Sequence, residues 1–131
     1  MTIKVCCAII IENRKVLVAQ RGQSLTRQMK WEFPGGKIEA GESCEECIVR
    51  EIKEELSLIV SPLKILPSVV HEYPDMIIEL MPIVCEIIDG TMQVNGHNNV
   101  LWLGFPDLKK LNWSDADAKL IKEQQELFQS L

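Results

Sequence analysis

A chain of 131 residues, 47% hydrophobic and 25% charged, is the size and composition of one globular domain with a single core. A net charge of −5 and a pI near 5.1 exclude a basic surface for DNA or RNA polymers, though not a free nucleotide whose charge a metal neutralises. The apolar run 5–11 is too short to span a bilayer and no cleavage-site pattern follows it, so a cytoplasmic protein with no membrane partner is expected.

Residues 4–11 are apolar and rich in β-branched side chains, and read as a buried strand. Glu12-Asn13-Arg14 turns the chain into a second strand over 15–20, so 3–20 is expected to form a hairpin. Arg21-Gly22 ends it, and 23–30 reads as a polar loop. Arg21, at a strand end, is either placed to reach a phosphate or base, or is a solvated loop arginine. Trp31-Glu32-Phe33 is a short extended piece before Pro34-Gly35-Gly36. Proline disfavours helix for Phe33, and the glycines admit a phosphate or metal-bound oxygen against the main chain. Phe33 or Trp31 is available to stack on a base or to pack in the core.

The segment from Ser43 to Leu56 predicts a helix. Ser43 is a good N-cap and Glu46, three residues on, completes a capping box. No proline or glycine interrupts residues 44–56. At about 100° per residue, Ile48, Val49, Ile52 and Leu56 share one arc. Glu51, Glu54 and Glu55 share another, because spacings of three and four meet on one side. Three clustered carboxylates repel one another, and a divalent cation resolves the repulsion. An all-oxygen set suits Mg²⁺ or Mn²⁺. Arg50, four residues from both Glu46 and Glu54, is placed to hold carboxylates. Cys44-x-x-Cys47 at the helix start reads either as a redox pair or as small side chains on a helix. Five cysteines, an odd number, with Cys6, Cys7 and Cys85 in apolar runs, point to reduced, buried thiols.

Downstream, Pro62 and Pro67 make 58–70 an irregular or edge strand. Residues 71–75 read as a turn. Residues 76–88 read as a central strand broken at Pro82. Residues 94–99 are a polar loop, 100–103 a short strand and 107–111 one helical turn. Ser114 caps a last helix that buries Leu120, Ile121, Leu127 and Phe128. With no regular βαβ alternation, the fold class is α/β (α+β): a mixed sheet with helices on both faces, not a doubly wound sheet.

The stretch GGKIEAGESCEECIVREIKEELSL (35–58) resembles the Nudix box, G-x5-E-x7-R-E-U-x-E-E-x-G-U with U a bulky aliphatic. Gly36, Glu42, Arg50, Glu51, Ile52, Glu54, Glu55 and Leu58 fill it. Ser57 stands where the pattern has glycine, at a left-handed helix end that costs serine roughly 1 kcal/mol. The longer run WEFPGGKIEAGES resembles the MutT-like subgroup. The resemblance implies one α/β/α sandwich domain over 1–131 and hydrolysis of a Mg²⁺-bound nucleoside diphosphate derivative, with Mn²⁺ as a substitute.

By the same resemblance, Glu51, Glu54 and Glu55 hold metal with the Gly36 carbonyl, and Glu54 also takes a proton from the attacking water. Glu54, Glu51 and Arg50 are thus the catalytic candidates. Glu42 and Arg50 fix loop against helix, and Lys37 touches phosphate or is a solvated turn lysine. MutT-like enzymes add an acidic ligand from a late loop. Here that loop, 94–99, has no carboxylate. His97 is left as ligand, proton acceptor, phosphate contact or plain loop histidine. Asp117 falls where a polar residue reads the base. An ionised carboxylate accepts and does not donate, which suits the amine of cytosine. The competing reading makes Asp117 a first-turn acid favoured by the helix dipole. The expected reaction is nucleoside triphosphate to monophosphate and pyrophosphate, on a cytidine-type or oxidised substrate. The partner is a small nucleotide, and the protein a monomer or homodimer. The alternatives are a nucleotide sugar or dinucleoside polyphosphate as substrate, or a non-catalytic nucleotide-binding protein.

Overall fold

The computed structural model describes residues 1–22 and 29–131, so most of the expected polar loop 23–30 lies outside the described residues. Strand β1 (Thr2–Glu12) turns through Asn13 and Arg14 into β2 (Lys15–Arg21). Both turn residues have positive φ, 51° and 64°, the requirement of a two-residue hairpin whose twist matches its strands. Short strands β3 (Trp31–Glu32) and β4 (Gly35–Lys37) follow, then helix α1 (Cys44–Leu56). Next come β5 (Leu58–Ile65), β6 (Val69–Glu72), β7 (Ile77–Gly90), β8 (His97–Leu103), α2 (Phe105–Leu108), α3 (Asp115–Glu123) and α4 (Gln125–Gln129).

The strands form one mixed sheet in the order β3-β2-β1-β7-β5, with β4 on β1, β6 on β7 and β8 on β2. The β1–β7 pair is parallel; the other pairs are antiparallel. Alternation along β1 divides the core. Cys6, Ala8 and Ile10 face Cys47, Ile48, Ile52 and Leu56 of α1. Cys7 and Ile9 face the opposite layer, with Phe33, Leu120 and Phe128. A strand covered on both faces reads as a continuous apolar run, which is why β1 does.

Pro82 lies inside β7, where its missing N–H is tolerated because the antiparallel partner changes there. Val69 of β6 pairs with Leu80, and Ile65 of β5 with Ile83. The Pro82 carbonyl still accepts from Leu66 N at 2.9 Å. Pro62 sits on β5, whose one neighbour is β7, with a register shift between Pro62 and Lys64.

Three expectations need correction. His71 and Glu72 are in β6, and the turn is made instead between Tyr73 and Met76, whose backbones bond at 2.7 Å. Strand β8 begins at His97, three residues earlier than its apolar pattern indicates, because a bulge at Gln20/Arg21 keeps the pairing going until His97 meets Arg21. The last helix is two pieces joined at Gln124. Ser114 starts α3 without a side-chain cap bond. Its work is done by others: Ala116 N donates to the Tyr73 hydroxyl at 3.0 Å, and the Asp117 carboxyl accepts from its own backbone N–H.

Candidate active site

Helix α1 starts as its sequence dictates. Ser43 Oγ accepts from Glu46 N at 3.1 Å, and Glu46 Oε1 accepts from Ser43 N at 2.9 Å. It ends at Ser57, held at φ 57° and ψ 29°, the left-handed cap expected there. Between these ends Arg50 gathers the acids. Its Nε donates to Glu42 Oε2 at 2.7 Å and its second terminal nitrogen to Glu42 Oε1 at 3.0 Å. The first terminal nitrogen reaches Glu51 Oε1 at 3.0 Å and Glu54 Oε2 at 3.3 Å. The guanidinium also bonds the Lys37 carbonyl at 3.2 Å. This fork ties the 37–42 loop to the helix, as expected of the Glu42–Arg50 pair. The Arg50 bonds, with a backbone N–H from Glu39, hold the Glu42 carboxyl down at about 2.

Gly36 has no room for a side chain: a Cβ there would meet the Glu51 carboxylate. Its carbonyl faces the Cys6 and Cys47 thiols at 3.4 and 3.7 Å, and Gly36 lies on the wall of the adjoining cavity. Burial pushes the Cys44 and Cys47 thiols up, and all five cysteines are free; this is not the environment of a redox pair.

Glu55 is the most constrained of the three acids. Burial pushes its carboxyl up strongly, and Glu51, Glu32 and a hydrogen bond shared with Glu51 push the same way. Its Oε2 has no hydrogen-bond partner among the described residues. Crowded, half-buried carboxyls with an oxygen left unpartnered are what a divalent cation would satisfy, so the residues present fit a metal. Among the described residues no three His, Cys, Asp or Glu side chains already form a closed metal site; Arg50 draws Glu51 and Glu54 to itself. Glu54, 59% exposed, is the acid that solvent reaches.

The other half of the site comes from β2, β3 and β8. Arg21 donates to Glu32 Oε1 at 2.8 Å. Glu32 Oε2 lies 3.0 Å from His97 Nε2. His97 Nδ1 lies 3.9 Å from Glu55 Oε2. Arg21, Glu32, His97 and Glu55 thus run in a line from the sheet to the end of α1. The loop before β8 straps that end: Gln93 N bonds Leu56 O at 2.9 Å, Asn95 N bonds Glu55 O at 2.8 Å, and Asn95 Nδ2 bonds Glu54 O at 3.2 Å. These bonds satisfy carbonyls the helix leaves open.

Beside the acids lies a cavity of about 300 Å³, walled in part by Arg21, Gly36, Lys37, Tyr73, Ser114 and Asp117. The Phe33 ring, in its wall, packs 5.1 Å from Trp113 and 5.5 Å from Phe128, centroid to centroid. That favours the core-packing alternative for Phe33. Its backbone N–H, however, donates to Asp117 Oδ2 at 2.9 Å. Burial, reinforced by Glu32, pushes the Asp117 carboxyl up to about 8. A carboxyl raised that far is in part protonated near neutral pH, and the protonated form can donate as well as accept.

The model of the NUDIX domain matches residues 2–124. This chain belongs to the Nudix family. The CTP pyrophosphohydrolase of Escherichia coli is 32% identical over 120 residues, 92% of this chain and 89% of that one. A putative 8-oxo-dGTP diphosphatase 2 of Mycobacterium tuberculosis is 30% identical over 91% of this chain and 85% of its own. The solution structure of the E. coli ORF135 protein superposes with a TM-score of 0.80 at 31% identity, covering 96% of this chain and 90% of that one. As a Nudix hydrolase, the chain brings the box acids, Arg50, Glu42 and Gly36 together, and seats Arg21, Lys37 and Asp117 on the adjoining cavity. His97 reaches the acids from the sheet side. Sequence reasoning missed Glu32, Tyr73 and Ser114. Only the position of Glu32 between Trp31 and Phe33 pointed its way, since a charged residue flanked by buried aromatics is held for a partner.

Proposed function

We propose that this Nudix domain is a Mg²⁺-dependent nucleoside triphosphate pyrophosphohydrolase of the MutT-like kind, acting on a cytidine-type or oxidised nucleotide. The observation that carries it is the set of box acids, Glu51 and Glu54 held by Arg50 and Glu55 with an oxygen unpartnered among the described residues, next to a cavity walled in part by the buried Asp117. A divalent ion held by Glu51, Glu54 and Glu55 supplies charge neutralisation and a lowered pKa for water. The chain does the rest. Arg50 fixes the rotamers of Glu51 and Glu54, and Glu42 fixes Arg50. Lys37 and Arg21 offer positive charge along the cavity toward the phosphates. Glu54, the solvent-exposed acid, takes the proton as water oxygen bonds to an inner phosphorus and pyrophosphate leaves.

The base reading follows from Asp117. Protonated, it accepts from an exocyclic amine and donates to a neighbouring ring nitrogen, the pattern cytosine presents. The name of the E. coli relative agrees with this. The decisive experiment incubates the protein and Mg²⁺ with each NTP and dNTP, 8-oxo-dGTP and 5-methyl-dCTP, beside nucleotide sugars and dinucleoside polyphosphates, and assays pyrophosphate. Pyrophosphate from a cytidine or oxidised triphosphate, lost by at least a hundredfold in Glu54→Gln, is the expected result. Release of single phosphate, or turnover of the sugars and dinucleotides alone, overturns the proposal.

A further inference from the structure

We infer that His97 Nδ1 is a direct metal ligand, giving this site a mixed nitrogen–oxygen donor set that favours Mn²⁺ over Mg²⁺. The inference rests on the metal-dependent reading above and adds to it a donor that the box does not contain. Four observations carry it. The His97 side chain is 7% exposed, so its two nitrogens cannot rely on water. Nε2 is matched to Glu32 Oε2 at 3.0 Å; in the tautomer whose Nε2–H donates to that carboxylate, the lone pair is left on Nδ1. Nδ1 then has no hydrogen-bond partner among the described residues, and neither does the Glu55 Oε2 that faces it at 3.9 Å. Two polar atoms without partners are thus buried face to face, an arrangement that costs free energy unless a proton or a cation joins them.

The spacing suits an ion. Two donors each about 2.1 Å from one cation lie at most about 4.2 Å apart, and 3.9 Å is inside that reach. The surroundings match as well. A ligating imidazole ordinarily donates its other N–H to a carboxylate, which fixes the tautomer and raises the ligand's basicity. Here Glu32 fills that part and is itself held by Arg21 at 2.8 Å. The strap from Gln93 and Asn95 to the end of α1 brings His97 to Glu55. Substrate phosphate and water oxygens complete the coordination. Imidazole is a poor ligand for Mg²⁺ and a better one for Mn²⁺, hence the expected selectivity.

The test uses the protein grown with ¹⁵N-histidine, loaded with Mn²⁺ and a CTP analogue whose α–β bridge is methylene. The nucleotide nitrogens remain ¹⁴N, so ¹⁵N hyperfine coupling to Mn²⁺, read by pulsed electron paramagnetic resonance, reports histidine alone. The chain has two histidines, and His71→Gln is the control for the other. The expected result is a ¹⁵N coupling of a directly bound nitrogen in the wild type and in His71→Gln, absent in His97→Gln. Mn²⁺ affinity in His97→Gln falls at least tenfold while Mg²⁺ affinity changes less than about threefold. His97→Glu, which makes the set all-oxygen, reverses the preference. Bound Mn²⁺ without ¹⁵N coupling overturns the assignment, even if His97→Gln fails to fold, because that reading needs the wild type only. If the same preparation releases pyrophosphate from a triphosphate, only the His97 assignment falls; if no divalent ion supports turnover, the metal-dependent reading falls with it.

Discussion

Arg50 sets where the acids of the site point. Its fork grips Glu42 through two nitrogens and reaches Glu51 and Glu54 through the third. Lysine keeps the charge and loses the fork. Arg50→Lys is expected to lower kcat at least tenfold with little change in KM, since the rotamers of the acids change and the cavity does not. The same variant reports on acid stability. Glu42 is held down at about 2, so its contribution is present above its ordinary range and is lost as pH falls through about 2. In Arg50→Lys that loss moves upward, and thermal melts between pH 2 and 6 should show earlier acid unfolding. Gly36 gives a complementary prediction. A methyl group there must displace the Glu51 carboxylate, so Gly36→Ala is expected to cost about a hundredfold in kcat/KM. If instead kcat/KM is unchanged, the position of Glu51 is not what the reaction depends on.

Elements built from local signals were legible, and those built from distant ones were not. Helix α1 runs from cap to cap as its sequence indicates, because Ser43, Glu46 and the apolar arc act within a few residues of one another. The hairpin is local too. The start of β8 was hidden, since polar His97, Asn98 and Asn99 carry no strand pattern and are paired through a bulge on β2. So was the strap over the end of α1, which joins Asn95 to Glu54 across 41 positions. Ser57 is the local misfit, a non-glycine residue at φ 57°. Ser57→Gly is expected to stabilise the fold by about 1 kcal/mol, a rise in Tm of roughly 3–5 °C for a chain this size. Activity should stay level, because the Ser57 backbone N–H goes to Lys53 O and not to an acid of the site. An unchanged Tm in differential scanning calorimetry would mean that the backbone strain is offset elsewhere.

At the scale of the whole molecule, the mixed sheet with helices on both faces was legible from the order of the elements and the continuous apolar run of β1, and no helix among the described residues is long and apolar enough to cross a membrane. The burial of Asp117 was not legible: its partner, the Phe33 N–H, is 84 positions away. That burial makes the stability of the fold depend on pH. The groups bearing on Asp117 are Glu32, which pushes its carboxyl up, and Arg21 with the Phe33 and Asp117 N–H groups, which pull it down; burial outweighs them and sets it at about 8 against an ordinary 3.8. Between those two values the folded chain holds a proton that the unfolded chain has released. Stability therefore falls as pH rises through that window, by up to about 1.4 kcal/mol per pH unit, and levels off above about 8. Asparagine keeps an acceptor for the Phe33 N–H and has no proton to lose. Melts in EDTA from pH 5.5 to 8.5 should show the wild-type Tm falling by several degrees, with Asp117→Asn falling less. Glu55, also pushed up, contributes the same slope to both proteins, so the difference between the two curves belongs to Asp117. Parallel curves would mean that the carboxyl is ionised throughout, and the base-reading role that needs its proton would go with it.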